Sequence, residues 1–132
     1  MNINYLAVVA AAASAFLIGG LWYSPALFQR PWMAANGFTE ADMKKGNQGT
    51  IFGGSFVLCL LMAFNLAAFL GAPDTTTTWG ATAGALAGVG WVAFGIGVVA
   101  LFERRPLAYT LINGGYWAVA LTVMGAILGA WR

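Results

Sequence analysis

Histidine is absent from this 132-residue chain, and cysteine occurs once. Without imidazole the chain has neither the usual general base near neutral pH nor the commonest metal and haem ligand. A lone thiol, Cys59, forms no intrachain disulfide and builds no thiolate metal cage, so no cofactor and no metal are expected. Charge is scarce too: four acids and six bases make up 8% of the residues, against roughly 25% in a soluble domain. No glycine-rich phosphate loop ending in Lys-Ser/Thr occurs, and no carboxylate pair lies inside an apolar run where it could serve hydrolysis. The chain is expected not to be an enzyme, and its set of catalytic residues is empty.

What is abundant is hydrocarbon. Hydrophobic residues make up 61% of the chain, and too few polar side chains remain to cover a water-facing surface. The charged residues are gathered at Arg30–Lys45, Asp74, Glu103–Arg105 and Arg132. Between them lie four nearly uncharged spans, at about 3–23, 49–72, 79–102 and 107–131, each long enough to cross a hydrocarbon core that needs about 20 helical residues. Membrane β-strands need only about 9–11 residues and alternate in polarity, which these runs do not. The expected fold is therefore an all-α integral membrane protein. One transmembrane domain over 1–132 packs four helices into a compact bundle, with a short interfacial helix after the first span. The apolar N-terminus lacks a basic leader and is read as a retained first helix.

Basic residues in short loops favour the cytoplasmic side. Arg30, Lys44, Lys45, Arg104 and Arg105 fall on one side of the four spans, and only Arg132 on the other. Segment 24–48 is thus expected in the cytoplasm and both termini outside, in a cell (inner) membrane. Basic groups that flank spans in this way serve topology, and no nucleic-acid partner is expected.

The first span ends in GGLWYSPALFQRPW. Trp22 and Tyr23 suit the headgroup zone, and Ser24 before Pro25 reads as an N-cap with proline at the first helical position. That predicts an interfacial helix through Ala35, stopped by Gly37. Thr39–Asp42 looks like a second helix start, with acids early and Lys44–Lys45 late. Thr78 reads as a cap for the third span.

Small residues recur at helix-packing spacing: Gly80, Gly84 and Gly88, with Gly95 further along, in the third span, and Gly125 and Gly129 in the fourth. Such spacing lets backbones approach within one chain or between copies, and a homo-oligomer or a place in a larger membrane complex is expected. The polar groups inside the spans are mild. Ser14 and Asn65 are expected as interior polar residues, and Asn113 is closest in depth to Gly19 and Gly20. Asn113, Tyr116 and Trp117 share one helical face. Trp91 and Trp117 lie near mid-bilayer, where they either fill space beside glycines or line a cavity for lipid or a small apolar molecule. Trp22, Tyr23, Ser24, Pro25, Trp91, Asn113, Tyr116 and Trp117 are the candidate lining of that cavity, membrane lipids its expected partners. The other class of function compatible with the residues is an oligomeric channel or transporter for small uncharged or amphipathic solutes, along a path through Asn65, Ser14 and Asn113.

A first helix ending in GGLWYSPALF, followed by Trp32, then Gly37-Phe38-Thr39 and three more spans, resembles the membrane family catalogued as domain of unknown function 1761. Trp22-Tyr23-Ser24-Pro25, Phe28 and Trp32 carry the likeness, with Asn65, Trp91 and Asn113-Gly114 in looser agreement. The resemblance implies a small four-helix bacterial membrane protein. It brings no catalytic residue with it.

Overall fold

The computed structural model describes residues 3–132, which contain no strand. Five helices follow in order: α1 Tyr5–Trp22, α2 Gln29–Asn36, α3 Gln48–Phe69, α4 Thr77–Phe102 and α5 Leu107–Ala130. All but α2 are long and apolar enough to cross a membrane. This is the expected architecture: four transmembrane-length helices and one short helix after the first.

Polar side chains cap three of the four long helices, and Pro106 precedes the fourth, α5. Asn4 accepts the amides of Leu6 and Ala7 at 3.1 and 3.2 Å, and Asn47 accepts that of Thr50 at 3.1 Å. The cap of α4 is Thr76, not Thr78: its extended backbone turns the hydroxyl onto the Trp79 amide at 3.0 Å. Thr78 lies inside the first turn, its carbonyl accepting the Thr82 hydroxyl. Only the residue directly before the first turn can cap it, and composition does not say which threonine of the run that is.

The helices run alternately up and down. Phe16 meets Phe56 edge-on across α1 and α3, with ring centroids 5.4 Å apart, and Tyr5 stacks near Phe64 further along. α1 packs against both α3 and α5, and α5 packs against α4, whereas α3 and α4 scarcely touch. α1 enters the centre through alanines: Ala7, Ala11, Ala12 and Ala15 are fully buried. α5 adds Tyr116, Ala120, Leu121, Met124 and Leu128 to the core, and α3 with the residue that ends it adds Cys59, Ala63, Leu66, Ala67 and Leu70. With no hydrophobic effect between helices in lipid, such small side chains hold the bundle by close dispersion contact.

The tightest seam joins α4 to α5. A Cβ at Gly80 would collide with the carbonyl of Gly125, one at Gly84 with that of Leu121, and one at Gly129 with that of Thr76. A Cβ at Gly88 would stand 2.7 Å from the Trp117 carbonyl oxygen. Beyond Gly88 the helix widens, because Gly88–Ala93 forms a π-helical segment. On α4 the contacts then step five residues to Ala93, while α5 steps back three to Gly114, where an added Cβ would come 2.9 Å from Ala93. The wide turn absorbs the extra residue. It also displaces the expected role of Gly95, which faces open space, and Gly97 approaches Thr110 instead.

Two turns close one end of the bundle. Lys45 lies 2.9 Å from Asp42 and, with the amide and hydroxyl of Thr39, holds its carboxyl below the usual carboxylate range. The second expected helix start thus ends after a single 3₁₀ turn, Asp42–Lys44, since Gly46 at φ +87° breaks it. Between α4 and α5, Arg104 sits at φ +59°, a left-handed conformation that costs a side chain roughly 1–2 kcal/mol. Arg104→Gly is therefore expected to stabilise the fold by about 1 kcal/mol. Denaturant titration in mixed micelles measures it, and a loss of stability would show that the arginine side chain contributes more than its backbone strain costs.

Candidate functional site

The corner that follows α1 is built from its last residue, Trp22, and from Tyr23, which caps its end. As the helix ends, Trp22 and Tyr23 project toward α5. The Trp22 indole donates to the Ile112 carbonyl at 2.9 Å, and its ring lies over Gly115, where an added Cβ would be 3.0 Å away. The Tyr23 hydroxyl donates to the Asn113 amide oxygen at 2.7 Å, and the Asn113 nitrogen donates to the Tyr109 carbonyl at 2.9 Å. One turn deeper, Tyr116 donates to the Ala15 carbonyl at 2.7 Å and its hydroxyl faces Gly19. Gly19 thus makes room for Tyr116 and not for Asn113, and a Cβ at Gly20 would meet open space.

Ser24 and Pro25 make the turn and not a helix start. The Ser24 hydroxyl folds back on the Leu21 carbonyl at 2.6 Å and is unavailable as a cap, while its own carbonyl accepts the amides of Leu27 and Gln29. The helix α2 begins four residues later than Pro25, at Gln29, with Pro31 third in it, where a missing N–H breaks no intrahelical bond. Gly37 ends it at φ +69°, its amide on Ala34 and that of Phe38 on Met33. α2 and its turn then stack on the corner: Trp22 against Phe28 at 4.7 Å between centroids, Tyr23 against Trp32 at 5.8 Å and Tyr116 at 5.4 Å, and Trp32 against Phe38 at 5.5 Å. Tyr116 in turn meets Trp117 at 4.8 Å.

The candidate residues therefore divide. Trp22, Tyr23, Asn113, Tyr116 and Trp117 come together, with Ser24 and Pro25 at the rim. Trp91 does not join them: it lies on the far side of α4, 69% exposed, beside Phe69 at 6.2 Å. Ala93 faces α5, and two residues of helix turn a side chain through roughly 160°, so Trp91 points away from the corner. The polar residues do not converge either. Ser14 donates to Ala11 of its own helix at 2.6 Å, and Asn65 is exposed on the outside of α3.

The corner is filled by its own rings. An apolar groove of about 400 Å³ opens elsewhere, between α3 and α4, lined by Leu66, Phe69 and Leu70 on one side and Trp79, Ala83, Leu86, Ala87 and Trp91 on the other. Neither the groove nor the contact of Arg132 with the Ala72 carbonyl at 2.6 Å has a signal in the sequence pattern. Both depend on which helices are neighbours. Among the described residues no three of Asp, Glu or Cys gather in a way that could hold a metal ion.

No curated protein matches the chain, and no solved structure does. Residues 6–129 match the family described as protein of unknown function (DUF1761). That match takes in all four long helices and the aromatic corner, and the chain belongs to the DUF1761 family.

Proposed function

We propose that this protein is a non-catalytic membrane subunit that works by association, with copies of itself or with other membrane proteins, and not by passing solute. The observation that carries this reading is the way its polar groups are spent. Trp22, Tyr23, Tyr116, Asn113, Ser14 and Thr122 each bond to a partner in the same chain, Asn65 faces outward and not into the bundle, and among the described residues no charged side chain is buried. A conduit needs polar groups left over to replace a solute's water, and a catalyst needs one left reactive. The glycine contacts between α4 and α5 support the same reading, since they spend those glycines within the chain. Association then falls to the exposed apolar faces of α3 and α4. The basic residues support an orientation with the Arg30–Lys45 and Arg104–Arg105 turns in the cytoplasm and both termini outside.

The test is a pair of measurements on the full chain. In native membrane nanodiscs its mass should correspond to more than one copy, or to a copy with a second protein. In proteoliposomes, stopped-flow shrinkage in glycerol or urea should match that of empty vesicles. Accelerated flux would overturn the reading in favour of a channel, and a solitary chain with no associated protein would overturn it in favour of an isolated bundle.

A second reading concerns lipid. The groove between α3 and α4 is apolar, opens sideways and runs from Trp79 to Trp91, roughly 18 Å of helix, about the depth of one leaflet. It suits a single acyl chain better than the filled corner does. A phospholipid mass retained by the native protein and lost on Ala83→Phe or Ala87→Phe supports it; a retained lipid indifferent to both substitutions removes it.

A further inference from the structure

We infer that the outward face of α3 is the surface on which two copies of this chain pair, in parallel and about a two-fold axis, with Asn65 facing Asn65. The inference rests on the proposal that the protein works by association and names the surface. Asn65 is a polar residue on a membrane-length helix, roughly 10 Å from the midpoint of α3 and so within the hydrocarbon depth. Ala63, two residues away, is fully buried, which turns the Asn65 side chain about 160° from the core. It is exposed, and its side chain meets no partner among the described residues, whereas Asn113 has two. In lipid an amide finds a partner on another helix or remains unsatisfied at a cost.

The residues around Asn65 say which partner. Ile51, Gly54, Leu58, Leu61, Asn65 and Ala68 are spaced three, four, three, four and three apart. That is the seam of a left-handed helix pair, with Ile51, Leu58 and Asn65 at the first apolar position of successive heptads. Ile51, Leu58 and Leu61 are 47%, 64% and 61% exposed, so nothing among the described residues accounts for the pattern. A Cβ at Gly54 would also meet nothing within 4 Å, unlike the glycines that α4 buries against α5.

Copies inserted in the same direction present α3 in parallel, which places equivalent residues at the same depth. An amide carries both donors and an acceptor and is therefore its own complement. A two-fold contact asks for that property, and a lone asparagine at such a position fixes register and copy number. A second copy is the one partner that brings a matching amide to this depth by symmetry alone.

The experiment joins cross-linking to mass. Single cysteines are placed by Leu58→Cys, Leu61→Cys and Asn65→Cys on the seam, Val57→Cys beside it and Val98→Cys on exposed α4, each in a Cys59→Ala background. Oxidation in the native membrane should join copies through the three seam positions and not through Val57→Cys or Val98→Cys. In nanodiscs the unmodified chain should be a dimer, Asn65→Leu should weaken it about 3- to 30-fold, and Asn65→Gln should retain it. Asn65 has no partner among the described residues, so these substitutions leave the fold in place. An oligomer that cross-links only through α4, or that ignores Asn65→Leu, overturns the inference and leaves association standing. A chain that neither cross-links nor carries a second protein overturns both, and one that carries a different protein overturns only the pairing of copies.

Discussion

Gly84→Ala should separate α4 from α5 and destabilise the protein by about 3 kcal/mol or more, beyond the usual range for an overpacked core. The added methyl would fall on the Leu121 carbonyl, and that oxygen belongs to helical backbone. No rotamer can move it aside. The clash is relieved only if two helices part along their length, which also lifts Gly80 from Gly125 and Gly88 from Trp117. Gly95→Ala is the matched control. It lies on the same helix in open space, so exchanging glycine for alanine should be neutral or stabilise by up to about 1 kcal/mol. Unfolding of both variants by SDS titration in mixed micelles measures the contrast. Equal stability would mean that α4 is held by something other than this seam.

Sequence pattern located these glycines at their spacing but could not say where the series ends. Gly80, Gly84 and Gly88 do lie against α5. Extending the run to Gly95 assumes a regular helix of 3.6 residues per turn, and the π segment at Gly88–Ala93 removes that assumption by inserting a residue. The four long helices were legible because uncharged runs of this length have one common solution in a membrane. The Gly37 stop was legible for a local reason, since few residues other than glycine tolerate a left-handed end. The start of α2 was not, because the hydroxyl of Ser24 has two carbonyl and amide targets within reach and the tertiary contacts of Trp22 and Tyr23 select the turn.

The candidate site divides along the same line. Asn113, Tyr116 and Trp117 share a face of one helix, which spacing alone can show. That Tyr23 reaches Asn113, and that Trp91 reaches neither, depends on the rotation of α1 and α4 about α5. Periodicity fixes which residues of a helix stand together; it says nothing of which neighbour they face. The outward face of α3 was missed for this reason. Asn65 reads as an interior residue as long as polar groups in a span are expected to turn inward, and only the burial of Ala63 and Cys59 shows that it turns outward.

Asn113→Ala should loosen the aromatic corner, at a cost of about 1–3 kcal/mol, by leaving the Tyr23 hydroxyl without an acceptor in a half-buried site. Tyr23→Phe should cost less, about 1 kcal/mol, because Asn113 keeps its bond to the Tyr109 carbonyl and the ring keeps its contacts with Trp32 and Tyr116. The two effects should not add. With both groups removed no orphan remains, and a double-mutant cycle should return a coupling of about 1 kcal/mol, in the range measured for hydrogen bonds within membrane proteins. The consequence reaches α2, which stacks on the corner through its own Trp32 against Tyr23 and through Phe28, just before it, against Trp22. Amide hydrogen exchange over Gln29–Asn36 should therefore rise in Asn113→Ala while the middle of α5 stays protected. Exchange that rises equally in both places would mean that the hydrogen bond supports the whole bundle. Exchange that rises in neither would mean that the aromatic stacking holds α2 without it.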